Sequence, residues 1–387
     1  MKGISKLKSS LKKLFLVLFF TPLSVMADWA LNMREGATPI SQEIYNLHMV
    51  TLWVVTIIGI LVFGVMFWSI FHHRKSKGVK AAKFSHSTTV EIIWTIIPTV
   101  IIISLAIPAT KLLIKMDDTS EAAITIKATG SQWKWKYDYL DGVGEGLTFY
   151  SNLDKDSKEV SQRDSGLDPM ESENYLLDVD EPIVLPVNTK IRILTTAQDV
   201  IHAWWVPDLG WKRDAIPGFI NDNWAVIEKP GTYRGQCAEI CGAGHGYMPI
   251  VVKAVSMDEY TEWVEDKKLA IAAAKNTSDI VLNMEELMTK GEAGYKAQCL
   301  VCHQANGEGI KGAFPALVKS PISTGKERRL EHIHQIIYGK NLMPALGHLS
   351  DVDIAAITTY ERNAWGNNTG DIVQAKEVAE ARKIPKK

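Results

Sequence analysis

Two long apolar stretches dominate the first third of the chain, at residues 48–70 and 92–114, the first free of Lys, Arg, Asp and Glu and the second holding only Lys111. At about 1.5 Å of rise per residue, either is long enough as a helix to cross a hydrocarbon core about 30 Å thick. They predict a transmembrane hairpin. Between them come Arg74, Lys75, Lys77, Lys80 and Lys83, with no acidic residue from His72 to Val90. That bias marks the connecting loop as cytoplasmic and puts everything after Lys115 on the far side of the membrane. Pro98 and Pro108 in the second stretch would kink an isolated helix, but kinks are tolerated where a neighbouring helix covers the freed carbonyls. A larger membrane partner is therefore expected.

From about Glu121 to Ser256 the pattern shortens to a period of two. Ile124 to Ala128 and Trp133 to Tyr139 alternate, the second with its aromatic residues on one face and its polar residues on the other. Further strand-like runs are Ile183 to Leu185, Ile191 to Leu194, Trp224 to Ile227 and Ile250 to Val255. These predict a small β-sandwich or barrel. Residues 141–174 are acidic and serine-rich without a sustained period, which reads as a surface insertion. Residues 257–280 read as a charged, alanine-rich helical linker, 281–370 as a second folded module and 371–387 as a polar tail.

The first residues carry Lys2, Lys6, Lys8, Lys12 and Lys13 before an apolar run from Leu14 to Phe20, then Ser24-Val25-Met26-Ala27. This is the pattern of a signal peptide over 1–27, with a mature start near Asp28. A length of 387 residues allows two or three domains. The net charge of −1 argues against a nucleic-acid partner.

Candidate chemistry is concentrated in two places. The run Cys237-Ala238-Glu239-Ile240-Cys241-Gly242-Ala243-Gly244-His245-Gly246-Tyr247-Met248 sets two thiols, an imidazole and a thioether on one glycine-rich loop, and His202 stands where an upstream strand-like run ends. Outside the cytoplasm a CxxxC pair is commonly a disulfide. His245 and Met248 have no role in a disulfide, however, and soft donors in this number favour copper. Further on, Cys299-Leu300-Val301-Cys302-His303 has the spacing of covalent c-type haem attachment. Met343 stands where a second axial ligand is expected, with His334 and His348 as alternatives, and His/Met ligation gives a high-potential carrier. Zinc at Cys299, Cys302 and His303 would need a fourth ligand, for which His332, His334 or His348 could serve. The chain has four cysteines, and copper and haem together use them all.

These residues resemble subunit II of the haem-copper cytochrome c oxidases over about 43–256, through Val90-Glu91-Ile92-Ile93-Trp94, Gln132-Trp133-Lys134-Trp135, Val200-Ile201-His202, Asp214 to Gly218 and the loop from Gly235 to Pro249. With the haem signature the resemblance extends to members carrying a fused cytochrome c domain. It implies a multidomain architecture: a two-helix transmembrane hairpin over 28–116, a cupredoxin-like β-barrel over 117–256 with a binuclear copper (CuA) centre, and an all-α class I cytochrome c domain. It further implies that Cys237 and Cys241 bridge two coppers, that His202 and Met248 complete one, and that His245 with the Glu239 carbonyl completes the other. The Glu239 side chain would hold magnesium at the boundary with the catalytic subunit, Trp133 would admit electrons, and Glu91 would open a proton channel. The implied partners are oxidase subunit I, with subunit III, a cytochrome c or other periplasmic donor, and membrane lipid. The implied setting is the bacterial inner membrane.

Three other readings use some of these residues. A Sco-like copper chaperone needs a thioredoxin-like βαβ pattern and has no use for Met248 or haem. A denitrification protein with a CuA domain leaves Glu91 and the hairpin unexplained. Quinol-oxidising relatives lack the copper ligands present here.

Overall fold

The structure is a computed structural model that describes residues 32–80, 83, 85–162, 165–275, 279–341 and 343–384. The expected signal peptide lies outside the described residues.

The hairpin consists of α1 (Pro39–His72) and α2 (Thr88–Asp117). Both are longer than the apolar stretches because polar residues cap and extend them. Thr38 closes a capping box with Ser41, and Pro39 pre-sets the first turn. The Thr38 hydroxyl also donates to Leu209 O at 3.0 Å, and Ala37 N to Asp208 O at 2.7 Å, which fastens the start of the helix to the β-domain. Lys115 near the end of α2 pairs with Glu43 near the start of α1 at 2.5 Å. The helix α2 runs through both prolines. The middle of each helix presents its apolar side chains outward, as a lipid-facing or partner-facing surface requires.

Among the described residues, ten strands form two five-stranded sheets. The first has the order β3 (Thr148–Ser151), β2 (Lys134–Tyr139), β1 (Ile124–Ser131), β5 (Lys190–Ala197) and β8 (Asn221–Val226). The second has the order β4 (Ile183–Pro186), β10 (Pro249–Val255), β9 (Gly231–Cys237), β6 (His202–Val206) and β7 (Trp211–Ala215). Pairs β1–β5 and β4–β10 are parallel and the others antiparallel. Trp135, Tyr137, Ile193, Trp204 and Ile250 fill the space between the sheets. This is the cupredoxin-like sandwich.

Two polar stretches differ from expectation. The 141–174 segment contributes strand β3 and a short helix α3 (Lys155–Val160), with Leu147, Phe149 and Leu153 buried beneath them. Its few apolar residues are spread too thinly to show a period. In β2, Lys134 and Asp138 are buried although they belong to the expected solvent face. Asp138 is neutralised there by Lys127 and Lys136. After the sandwich comes α4 (Met257–Lys275), which is docked on it through Tyr260 and Val264, one turn apart on the same face.

The last module is helical: α5 (Met284–Gln298), the single turn α6 (Leu300–His303), α7 (Pro321–Thr324), α8 (Arg329–Tyr338), α9 (Asp351–Asn363) and α10 (Ala375–Ala381). Its core joins Tyr295, Leu300, Ile333, Ile336, Ile354 and Ile357. The stretch expected as a polar tail takes part, since Val373, Val378 and Ala381 are buried in that core. Gly291 lies against Ala356, where an added Cβ would stand 2.2 Å from the carbonyl oxygen, so the glycine allows α5 and α9 to cross closely.

Candidate metal and haem sites

Strand pairing builds the first site. Cys237 ends β9 opposite Trp204 of β6, which brings His202, two residues before Trp204, beside the loop that follows Cys237. Two bonds close the loop, Ala238 N to Ala203 O at 3.0 Å and Cys237 N to Met248 O at 3.3 Å. The sulfurs of Cys237 and Cys241 then stand 3.9 Å apart. His202 Nδ1 is 3.9 Å from Cys237 Sγ, and the Glu239 carbonyl is 3.4 Å from the same sulfur. His245 Nδ1 and Met248 Sδ each lie 3.6 Å from Cys241 Sγ. All six expected donor atoms meet in one place, and His202, Cys237, Cys241 and Met248 are buried.

The donor set fits copper. With metal–sulfur distances of about 2.3 Å, two sulfurs 3.9 Å apart can touch the same ion, on either side of the line joining them. Both are thiols rather than a disulfide. The hydrogen bond from Cys241, aided by His202 and the backbone of Glu239 and Ala203 against the cost of burial, pulls Cys237 far below the usual thiol range. The same contact and burial push Cys241 up. Such a site favours thiolate, the form that binds soft metals.

Asp199, three residues before His202, orients this site. Its Oδ1 lies 2.9 Å from His202 Nε2, which leaves Nδ1 directed at Cys237. A carboxylate behind a ligating imidazole fixes the ring and raises its basicity. Burial alone would lower the His202 pKa, but Asp199 and the Cys237 sulfur lift it to about 8. Asp199 Oδ2 also accepts from Gln132 N at 2.7 Å, tying the strand ahead of Trp133 to the same carboxylate. At Gly130 an added Cβ would stand 2.8 Å from the His202 ring, so the glycine leaves the imidazole its place.

Trp133 lies over the loop. Its Nε1 donates to Cys241 O at 3.1 Å, and Gly244 lets the indole approach, because a Cβ there would stand 2.3 Å from Trp133 Cδ2. Two other expected residues lie apart from this cluster. The Glu239 side chain is half-exposed and outside the His202, Cys237 and Cys241 group, the one His/Cys/Asp/Glu group of metal-binding spacing among the described residues. Glu91 stands in the first turn of α2, partly covered, on the side of the basic connecting loop.

The second site is a cavity of about 510 Å³ lined by Cys299, Cys302, His303 and Met343 from the helical module, and by Trp133 and Lys134 from the sandwich. Its size and apolar wall suit a cofactor. Helix α5 ends at Cys299, and the next turn carries the rest of the signature. His303 Nδ1 stands 2.9 Å from Pro315 O, which leaves Nε2 as the free ring nitrogen, as iron ligation requires. Gln335 Nε2 donates to Met343 Sδ at 3.8 Å. The alternative ligands are engaged elsewhere and do not line the cavity. His334 Nε2 bonds Ala381 O at 3.0 Å, His332 pairs with Glu361 at 2.8 Å, and the His348 ring stacks on Tyr150 at 3.8 Å. The residues present fit haem c, and Met343 is the one of the three candidate second ligands that lines the cavity.

The chain is similar to known families and proteins. Residues 124–255 match the family model "Cytochrome C oxidase subunit II, periplasmic domain", 26–112 the corresponding transmembrane domain, and 286–360 "Cytochrome C oxidase, cbb3-type, subunit III". The chain is 43% identical over 245 residues to a cytochrome c oxidase subunit 2 of Cyanidium caldarium, covering 62% of this chain and 92% of the relative. It is 37% identical over 273 residues to a probable cytochrome c oxidase subunit 2 of Rickettsia bellii, covering 70% and 97%. A crystal structure of the periplasmic domain of subunit II of cytochrome oxidase (CoxB) of Bradyrhizobium japonicum is 40% identical, with 39% of this chain and 98% of that one covered and a TM-score of 0.34.

Proposed function

Because the chain belongs to the cytochrome c oxidase subunit II family, we propose that it is the electron-input subunit of an aerobic terminal oxidase, with haem c and a binuclear copper centre as carriers. When bound, these groups supply one-electron transfer from haem c through copper to a catalytic subunit that reduces oxygen to water and pumps protons. The residues of the chain bind and orient them. Cys237 and Cys241 would be shared by both coppers, with His202 and Met248 serving one ion and His245 and the Glu239 carbonyl the other. Cys299 and Cys302 would hold the haem through thioethers, while His303 and Met343 would serve its iron.

The observation that carries this reading is the convergence of six soft or carbonyl donors within 3.9 Å steps around the Cys237–Cys241 pair. Burial and the Asp199 bond hold those donors without much rearrangement, which suits a relay whose geometry must change little with charge. Trp133 is the residue through which electrons reach the copper loop, since its indole spans from Cys241 O to the haem cavity. Glu239 offers its half-exposed carboxylate to magnesium at the boundary with the catalytic subunit, a hard oxygen ligand for a hard ion. Glu91, an ionisable group at the mouth of a membrane span, opens a proton path. The working partners are subunit I, with subunit III, and a periplasmic donor, in a bacterial inner membrane with both soluble modules outside the cytoplasm. The domain limits follow the sequence reading, a cupredoxin domain over 117–256 and a cytochrome domain from 281.

The test is oxygen uptake by the assembled oxidase with the chain ended at residue 275. Assembly is expected to survive. Turnover from the physiological donor should fall, and soluble cytochrome c docking at the uncovered Trp133 should restore part of it. Undiminished turnover with no cytochrome added would contradict the role of haem c.

A further inference from the structure

The 141–174 segment supplies none of the copper or haem ligands expected from the sequence, yet it lies between the two modules, and its Asn152, Leu153 and Lys158 border the haem cavity. One side is built into the sandwich: Leu147 and Leu153 are 1% exposed, and Ser157 Oγ accepts from Leu176 N at 3.1 Å. The other side touches the cytochrome module at two points. Lys158 of α3, 5% exposed, donates from Nζ to Ala297 O at 2.5 Å, two residues before Cys299. Tyr150 of β3 stacks on His348 with ring centroids 3.8 Å apart.

Lys134, also 5% exposed, sits between these points with its ammonium 4.7 Å from the centre of the Tyr150 ring, a cation–π contact. Neither lysine has a carboxylate within ion-pair distance among the described residues. Burying an ammonium is costly, and burial pushes Lys134 down to about 8 and Lys158 down as well, against the opposing pull of Asp180 on both and of Asp154 on Lys158. The rest of the cost is offset by the Ala297 carbonyl that Lys158 reaches and by the Tyr150 ring beneath Lys134. A third contact closes the arrangement: Phe314 meets Trp133 edge-on at 6.1 Å.

We propose that residues 141–174, with Lys134, form a docking cradle for the chain's own cytochrome module, holding it in one pose with the Cys299 side of the haem cavity turned to Trp133. The inference rests on haem binding at Cys299, Cys302 and His303. Tyr150 and His348 are positioning residues, since they fix the distance and angle between two carriers and line neither site, while Lys158 both reaches Ala297 O and borders the haem cavity. A consequence is that Phe314 covers Trp133 in the docked pose. An external donor then delivers its electron to haem c and not directly to the copper loop. The cradle replaces a diffusional search with a fixed contact, which a flexible linker alone would not do.

Two readouts on the intact oxidase test this. The first is the rate at which photoreduced haem c is reoxidised, at several viscosities. The second is amide hydrogen exchange of residues 155–160 and 296–303 in the fully oxidised enzyme, which needs no electron flow. The parent should show a rate independent of viscosity and slow exchange in both segments. Lys158→Ala with His348→Ala should slow reoxidation about tenfold, make it viscosity-dependent and speed exchange about tenfold, as expected for lost charge-assisted and ring contacts. Lys158→Arg keeps a donor and should restore most of both. Parental rates and exchange in the double variant would overturn the cradle, as would a parental rate that already falls with viscosity. If slow exchange persists while no electron leaves haem c in the parent, the relay reading fails and the cradle stands.

Discussion

The copper loop and the haem cavity hold their cofactors by opposite means. In the loop the protein brings donor atoms to within 3.9 Å of one another by strand pairing and buried hydrogen bonds. In the helical module the donors line a cavity of about 510 Å³ and the cofactor must complete the core itself. The module has a core of its own around Tyr295, Ile333 and Ile354, but the wall that faces the sandwich stays open until a cofactor fills it. The copper domain is thus a pre-formed site, and the haem module is a fold that depends on its ligand.

That contrast is broken most severely by Cys299→Ser with Cys302→Ser. The variant should lose covalent haem and show a collapsed melting transition for the helical module, while the copper signal of the same sample stays intact. Calorimetry with optical spectra reads both, and a helical module that melts unchanged without haem would remove the distinction. A smaller effect is expected from Asp199→Asn, which keeps the shape but weakens the hold on His202. Copper affinity should fall about 10–100-fold with the haem bands unmoved, and an unchanged affinity in a copper titration would show that strand pairing alone sets the imidazole.

The smallest effect concerns pH. Packing against Tyr150, and then Lys134, Arg382 and Lys136, pushes His348 below its ordinary value of 6.5. Asp138 beside Lys136 and Asp351 beside Arg382 temper those charges. A depressed histidine pKa favours the docked state while the ring is neutral, so docking is full above about 6.5 and weakens as pH falls below it. The residue keeps an exposed edge, and solvent screens part of the repulsion. Reoxidation of haem c should become modestly viscosity-dependent at pH 5.5 and not at 7.5, and His348→Gln should abolish the difference.

Much of this was legible in the chain. The hairpin is visible because lipid demands long apolar runs, and the two sites are visible because ligand chemistry restricts residue type and spacing. Asp199 was harder to see: a carboxylate three residues before a histidine is common, and only the turn between β5 and β6 makes it a hydrogen-bond partner. The cradle was hidden for a different reason. Lys134 and Lys158 look like solvated surface charges, and it is a neighbouring module, far along the chain, that buries them. The helix at Ala375–Ala381 escaped because its apolar face is three residues wide, and Val373, Val378 and Ala381 matter only against α8 and α9.

The central claim is that Cys237 and Cys241 bridge a copper pair which passes single electrons inward. Metal analysis with paramagnetic resonance on the purified, assembled oxidase tests it most directly. The account predicts two coppers in this subunit for each haem c and a signal shared between both ions, altered by Met248→Leu while the haem bands stay the same. A disulfide between Cys237 and Cys241 in the native complex, with no copper bound to this subunit, would contradict it.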